Sequence, residues 1–86
     1  MFYVYIIRGK GNKHYIGYTD NLQRRIEEHN RGKTKSNKSF APFELIYHEN
    51  YATEIEAINR ERKIKSYKGG IAFKKLINKT LSSSLV

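Results

Sequence analysis

Apolar positions fall along the chain in blocks of changing period, and each change of period marks an element. Residues Phe2 to Ile7 are almost wholly aromatic and β-branched without alternation, which predicts a strand buried on both faces. Gly9, Gly11 and Asn12 then supply turn chemistry, so a hairpin should follow, its second strand running from about His14 to Tyr18. The period next lengthens. Leu22, Ile26 and His29 stand four and three apart on one helical face while Arg24, Glu27 and Glu28 fall elsewhere, and Thr19 or Asp20 can cap a helix that starts near Asn21 and ends at Gly32. From Arg31 to Lys38 there is no apolar residue and no acid, and Arg31, Lys33, Lys35 and Lys38 are basic; the segment is expected to be an exposed, mobile loop.

Pro42 sets off a third strand, roughly Phe43 to Tyr51, in which Leu45 and Tyr47 alternate imperfectly with Glu44, Ile46 and His48. Thr53 followed by Glu56 forms a capping box for a helix with Ile55 and Ile58 on one side, extending towards Arg62, and with Ala57, Glu61 and Ile64 on the neighbouring stripe. Gly69 and Gly70 stop it. A short last helix, Ile71 to Asn78, is expected to bury Phe73, Leu76 and Ile77, with a frayed Ser-rich tail beyond. The predicted order is β-β-α-β-α-α: a small α+β domain over residues 1–79, built on a three-stranded antiparallel sheet flanked by helices, and a flexible tail over 80–86.

Charge narrows the partners. Seventeen Lys and Arg against eight Asp and Glu leave a formal +9, a self-repulsion that a polyanion would relieve, and nucleic acid is the candidate this raises first. A membrane surface would call for a basic amphipathic helix or a lipidation site, and no run approaches the apolar length of a membrane span. Without cysteine there is neither a disulfide nor a thiolate zinc site. The apolar N-terminus has no basic leader and reads as a strand, so the expected compartment is the cytoplasm. With 86 residues the chain suits one domain, with no separate DNA-targeting unit.

Several residues can carry chemistry. A hairpin can bring the hydroxyls of Tyr5 and Tyr15 to one place, although strand tyrosines commonly fill a core and satisfy their hydroxyls at its edge. Arg25 and His29 are helical neighbours able to address one phosphate, and the same spacing also suits a solvated basic face. Glu61 is the sole acid after Glu56, among Arg60, Arg62, Lys63 and Lys65; it can pair with those neighbours or serve as a single-carboxylate ligand for Mg²⁺.

Taken together, these residues resemble the GIY-YIG nuclease domain from Tyr3 to about Asn78. The YVY of Tyr3 to Tyr5 stands where the family has GIY, and Tyr15, Ile16 and Gly17 reproduce YIG. The helix DNLQRRIEEHN carries the family's arginine at Arg25 and the histidine of many members at His29, and the late glutamate falls at Glu61. Short stand-alone bacterial relatives, akin to the N-terminal domain of the excinuclease C subunit, share the P-x-x-L-x-Y-x-E run found here from Pro42 to Glu49. Two departures stand out: Tyr18 occupies the place of a lysine that follows YIG in excinuclease-type domains, and Asn78 lies too far from Glu61 to inherit the role of a late asparagine.

The resemblance implies hydrolysis of a phosphodiester by in-line attack of water with one divalent ion, Mg²⁺ or Mn²⁺, held by Glu61. Arg25 would neutralise charge on the phosphate, and Tyr5, Tyr15 or His29 would serve as general base. DNA is the more expected substrate than RNA, in repair or processing. Arg24, Arg31, Lys33, Lys35, Lys38, Lys63 and Lys65 would grip flanking phosphates without reading bases, and the chain would act as a monomer or weak dimer. Two other classes remain open at this point: a nucleic-acid-binding module of the same fold with weak catalysis, whose binding needs neither metal nor Glu61, and a structural or interaction protein.

Overall fold

The computed structural model describes residues 1–31 and 39–85, with side chains up to residue 78. Three strands and three helices succeed one another: β1 (Phe2–Gly9), β2 (Lys13–Thr19), α1 (Leu22–Asn30), β3 (Glu44–Tyr51), α2 (Glu54–Ser66) and α3 (Ile71–Leu85). The sheet is antiparallel throughout in the order β2-β1-β3. This is the α+β architecture that the periodicity predicts.

The unbroken apolar run makes β1 the central strand, with helices on both faces. Val4 and Ile6 point to one face and, with Ala57, Ile64 and Phe73, form a core under α2 and α3. Tyr5 and Ile7 point to the other, where Phe43, Leu22 and Ile26 join them beneath α1. Val4, Ile6, Ile7, Ala57 and Ile64 are fully excluded from solvent, so they supply most of the hydrophobic driving force.

The hairpin between β1 and β2 turns through Lys10–Asn12, with Gly11 and Asn12 both in the left-handed region that Gly and Asn tolerate best. The imperfect alternation of β3 has a physical cause. Ile6 pairs with Tyr47 and Ile7 with Leu45, so Ile46 is an extra, bulged residue that shifts the phase of the strand.

Two local expectations change, an open one is resolved, and one falls outside the described residues. The N-cap of α1 is Asn21, whose side chain accepts from the Arg24 amide at 3.0 Å; Thr19 instead accepts from the Asn21 amide at 3.1 Å and shapes the turn before the cap. On α2 the stripe of Ala57 and Ile64 faces the sheet and leaves Ile55 70 % exposed, because the small Ala57 lets the helix approach closely and Arg60 ties its neighbouring face to β3. The last helix continues past Asn78 to Leu85, since neither Gly nor Pro stands in its way. Gly32, Lys33, Lys35 and Lys38, the proposed helix stop and most of the basic loop, lie outside the described residues. Thr53 caps α2 as expected, accepting from the Glu56 amide.

Among the described residues no helix is long and apolar enough to cross a membrane.

Candidate active site

Tyr5 sits at the middle of β1, directly opposite Gly17 of β2. A side chain at Gly17 would place its Cβ 2.5 Å from the Tyr5 hydroxyl and 2.7 Å from Cζ, so the glycine is what allows the phenol to lie across the edge strand. The requirement is for space alone.

α1 then delivers two groups to that hydroxyl. Arg25 and His29 are one helical turn apart, and the apolar side of the helix, Leu22 and Ile26, is anchored beside Tyr5 and Ile7. Arg25 Nε donates to the Tyr5 oxygen at 3.2 Å, and the same oxygen lies 3.2 Å from His29 Nε2. The Tyr5–His29 pair can share one proton, its donor set by the imidazole tautomer. Glu28 accepts from Arg25 Nη1 at 3.3 Å and holds the guanidinium from its other edge.

Tyr15, two residues before Gly17 and on the same face of β2, stacks against His29 at 6.5 Å and an interplanar angle of 26°. Phe43 closes the far wall, edge-on to both Tyr15 (5.4 Å) and His29 (5.8 Å). Asn30 fixes Phe43 by bonding both its amide and its carbonyl, which joins the end of α1 to the start of β3.

Electrostatics divides the roles. Burial pushes the Tyr5 hydroxyl above its ordinary pKa of 10, Arg25 pulling against this and Glu61 and Glu28 adding to it. Burial, followed by the Arg25 charge, holds His29 below its ordinary 6.5. At neutral pH the imidazole is therefore uncharged and able to accept a proton.

Glu61 comes from α2, which packs on the opposite face of the sheet from α1. Its charge is felt at both Tyr5 and Tyr18, and its side chain is only 16 % exposed, paired with Lys65 at 3.3 Å. It makes no direct hydrogen bond to the Tyr5 group among the described contacts. Tyr18 donates to Glu54 Oε2 at 3.5 Å. Among the described residues no three carboxylate or imidazole groups gather into a cage for a metal.

The remaining basic residues are spread around this centre. Arg24 pairs with Asp20 at 3.0 Å and Arg31 with Glu27 at 3.9 Å, both on the exposed side of α1, and Lys63 is exposed on α2.

Three contributors are not evident from the sequence. Glu28 could have been found from its i,i+3 spacing to Arg25. Phe43 carries no such signal. The third is a clamp behind α2, where Glu49 accepts two bonds from Arg60, at 2.8 and 3.0 Å, and one each from Tyr47 and Tyr51. Burial alone would raise the Glu49 pKa, but these four donors bring it down to about 2. Arg60 immediately precedes Glu61, so the clamp fixes the rotation of the helix that carries it.

Residues 1–75 match the family model of the GIY-YIG catalytic domain. Over 66 residues the chain is 44 % identical to the UPF0213 protein SH2523 of Staphylococcus haemolyticus, covering 76 % of this chain and 80 % of that one. A UPF0213 protein of Staphylococcus aureus is 41 % identical over the same length, with the same coverage. The solution NMR structure of the UPF0213 protein BH0048 from Bacillus halodurans superimposes with a TM-score of 0.59 at 31 % identity, over 91 % of this chain and 84 % of that one.

Proposed function

We infer that this chain, which belongs to the GIY-YIG catalytic domain family, is a divalent-metal-dependent endonuclease that hydrolyses phosphodiester bonds, with DNA as its substrate. The observation that carries the reading is the Tyr5 hydroxyl held between Arg25 Nε and His29 Nε2, each at 3.2 Å. A phenol in the core needs one partner; one placed between a cation and a neutral imidazole is poised for proton transfer.

In this reading the oxygen of Tyr5 faces the attacking water. As that water attacks phosphorus it gives its proton to Tyr5, and Tyr5 passes its own to His29 Nε2, so no phenolate has to persist. A free Tyr5 would be too weak a base at neutral pH, since burial raises its pKa further. Tyr15 keeps the imidazole in plane with this path. Arg25, its side chain 42 % exposed, faces the phosphate and offsets the charge that builds there.

Glu61 fits Mg²⁺ or Mn²⁺. It is a hard oxygen donor, sheltered but not sealed, whose charge is felt at the Tyr5 hydroxyl, and such ions bind through one or two carboxylates while keeping several waters. The ion, when bound, supplies Lewis-acid stabilisation of the phosphoryl and leaving oxygens. Lys65 holds the carboxylate in place through its ion pair. Arg24, Arg31, Lys63 and the basic segment with Lys33, Lys35 and Lys38 add phosphate contacts that carry no base preference. We place the activity in DNA processing in the cytoplasm, with the chain acting as a monomer or weak dimer.

Cleavage assays on single-stranded, duplex and branched DNA and on RNA, with Mg²⁺, Mn²⁺ or chelator, test this reading. Glu61→Gln should abolish cutting while binding survives or tightens slightly, because it removes a metal ligand and a repulsive charge together. A well-folded Glu61→Gln protein that cuts at the wild-type rate would refute the metal assignment.

A further inference from the structure

A second concave site lies at the hairpin end of the sheet, made by residues that the Tyr5 group does not use. Arg8 and His14, paired across β1 and β2, line it with Asn12 of the turn and with Phe73, Lys74 and Asn78 of α3, around a cavity of about 430 Å³. Phe73 is 6 % exposed and forms the floor, with the His14 ring edge-on to it at 5.4 Å and 87°. Arg8 is held at the rim by Glu44 through Nε at 3.2 Å and Nη2 at 2.5 Å, its side chain still 43 % exposed.

The pocket thus combines cations and side-chain amides at the rim with an aromatic floor. Burial, followed by the Arg8 charge, lowers the His14 pKa, so at neutral pH its ring is an uncharged wall. A bare anion would use Lys74, Arg8 being already paired with Glu44, and leave the floor empty; an apolar ligand would use the floor and leave Lys74 unanswered. A nucleotide matches both, with its phosphate at Lys74, its base against the His14 ring above Phe73 and polar base edges near the amides.

Position supports the same ligand. His14 lies three residues before Gly17 on β2, about 10 Å of strand at roughly 3.4 Å per residue. That is about three base steps at roughly 3.4 Å per step along one DNA strand. His14 points to the face opposite Tyr5, but β2 is an edge strand, so a nucleic-acid strand that follows this edge can meet the Tyr5 group on one face and bring a neighbouring nucleotide to the pocket on the other.

We propose that the Arg8, His14, Phe73 and Lys74 pocket binds a flanking nucleotide of the nucleic-acid strand, a few steps from the reacting phosphate. The proposal rests on nucleic acid being the partner of the Tyr5 site, and it is tested without cleavage. The full chain is titrated with deoxyadenosine monophosphate and, separately, with a short single-stranded oligodeoxynucleotide, while amide NMR signals are recorded. The oligonucleotide should shift the backbone amides of Asn12 and Gly69 and the side-chain amide of Asn78.

Lys74→Gln should weaken oligonucleotide binding about threefold and lower the log–log salt slope by about 0.7, the single-strand value per phosphate. Lys75→Gln makes the same charge change on the next residue, which does not line the pocket, and should have clearly less effect. Both positions are exposed, so both variants should melt like wild type. Equal losses in the two variants would mean that only net charge is sensed, and would overturn the pocket. So would an oligonucleotide that leaves the pocket amides unmoved. Pocket shifts with the mononucleotide alone would reassign the site to a free nucleotide and overturn the flanking-strand role. If Glu61→Gln still cuts while the pocket signals shift and Lys74→Gln alone weakens binding, the metal assignment fails and the pocket stands.

Discussion

Gly17 and Tyr5 face one another across the β1–β2 pair, and the space that a side chain at 17 would need is filled by the Tyr5 phenol. The pairing makes Gly17 a determinant of where a hydroxyl sits. Gly17→Ala should force the ring out from between Arg25 and His29. We expect cleavage to fall at least tenfold and stability to drop by about 1–3 kcal/mol from overpacking. Activity assays and thermal melts check both, and a Gly17→Ala protein with wild-type turnover would show that the phenol is not needed where it lies.

His29 gives a prediction in pH. In the proposed mechanism it accepts a proton, so it must be neutral, and burial and Arg25 both hold its pKa below 6.5. The acid limb of the kcat/KM profile should therefore have its midpoint below 6.5, with full activity retained at pH 7. His29→Gln should be slow at every pH and lack that limb. A limb centred at or above 6.5 in the wild type would point to a different titrating group.

Arg25 is expected to differ from Glu61 in kind. Arg25→Ala removes a donor to Tyr5 and, in the proposed mechanism, a phosphate contact, so both binding and turnover should weaken. Arg25→Lys restores the charge without the two-edged grip on Tyr5 and Glu28, and should recover binding more than turnover. Equal recovery of both would indicate that charge alone matters at this position. Filter binding beside single-turnover kinetics separates the two.

The Glu49 clamp predicts a pH-dependent stability. Its folded pKa of about 2 lies below the unfolded value near 4.5, so its contribution is complete above about pH 4.5 and is lost as the pH falls towards 2. Glu49→Gln should cost roughly 1–3 kcal/mol at pH 7, because Arg60 is left half-buried without its carboxylate, and should flatten the acid side of the stability profile. Melts from pH 2 to 7 test this; a profile as steep as wild type would assign the acid sensitivity elsewhere.

The clamp also marks where the legibility of the sequence stops. β1, α1 and the Thr53 cap are legible because each depends on a local pattern: an unbroken apolar run, a 3/4 spacing, a capping box. The meeting of Tyr5, Tyr15, Arg25 and His29 is legible from motif order, since one hairpin and one helix suffice to gather them. Phe43 and the Glu49–Arg60 pair are not, because their partners come from separate elements and nothing in the intervening spacing encodes the encounter. The facing of α2 is left open by the sequence for the same reason. Ile55 and Ala57 are both plausible inward residues by periodicity, and the choice between them is made by a carboxylate on another strand.

The bulge at Ile46 governs how the chain can tolerate changes in length. Because one unpaired residue separates the Leu45 and Tyr47 pairings, the start of β3 supplies Leu45 opposite Ile7 and the remainder supplies Tyr47 and Glu49 to the opposite layer from His48. Deleting any single residue between Glu44 and Tyr47 could be absorbed there by erasing the bulge, whereas a deletion between His48 and Tyr51 would exchange the two faces of the rest of the strand and turn Tyr51 away from Glu49. Position 46 is thus the strand's expansion joint, and length variants of this segment should survive on its N-terminal side and fail on the other.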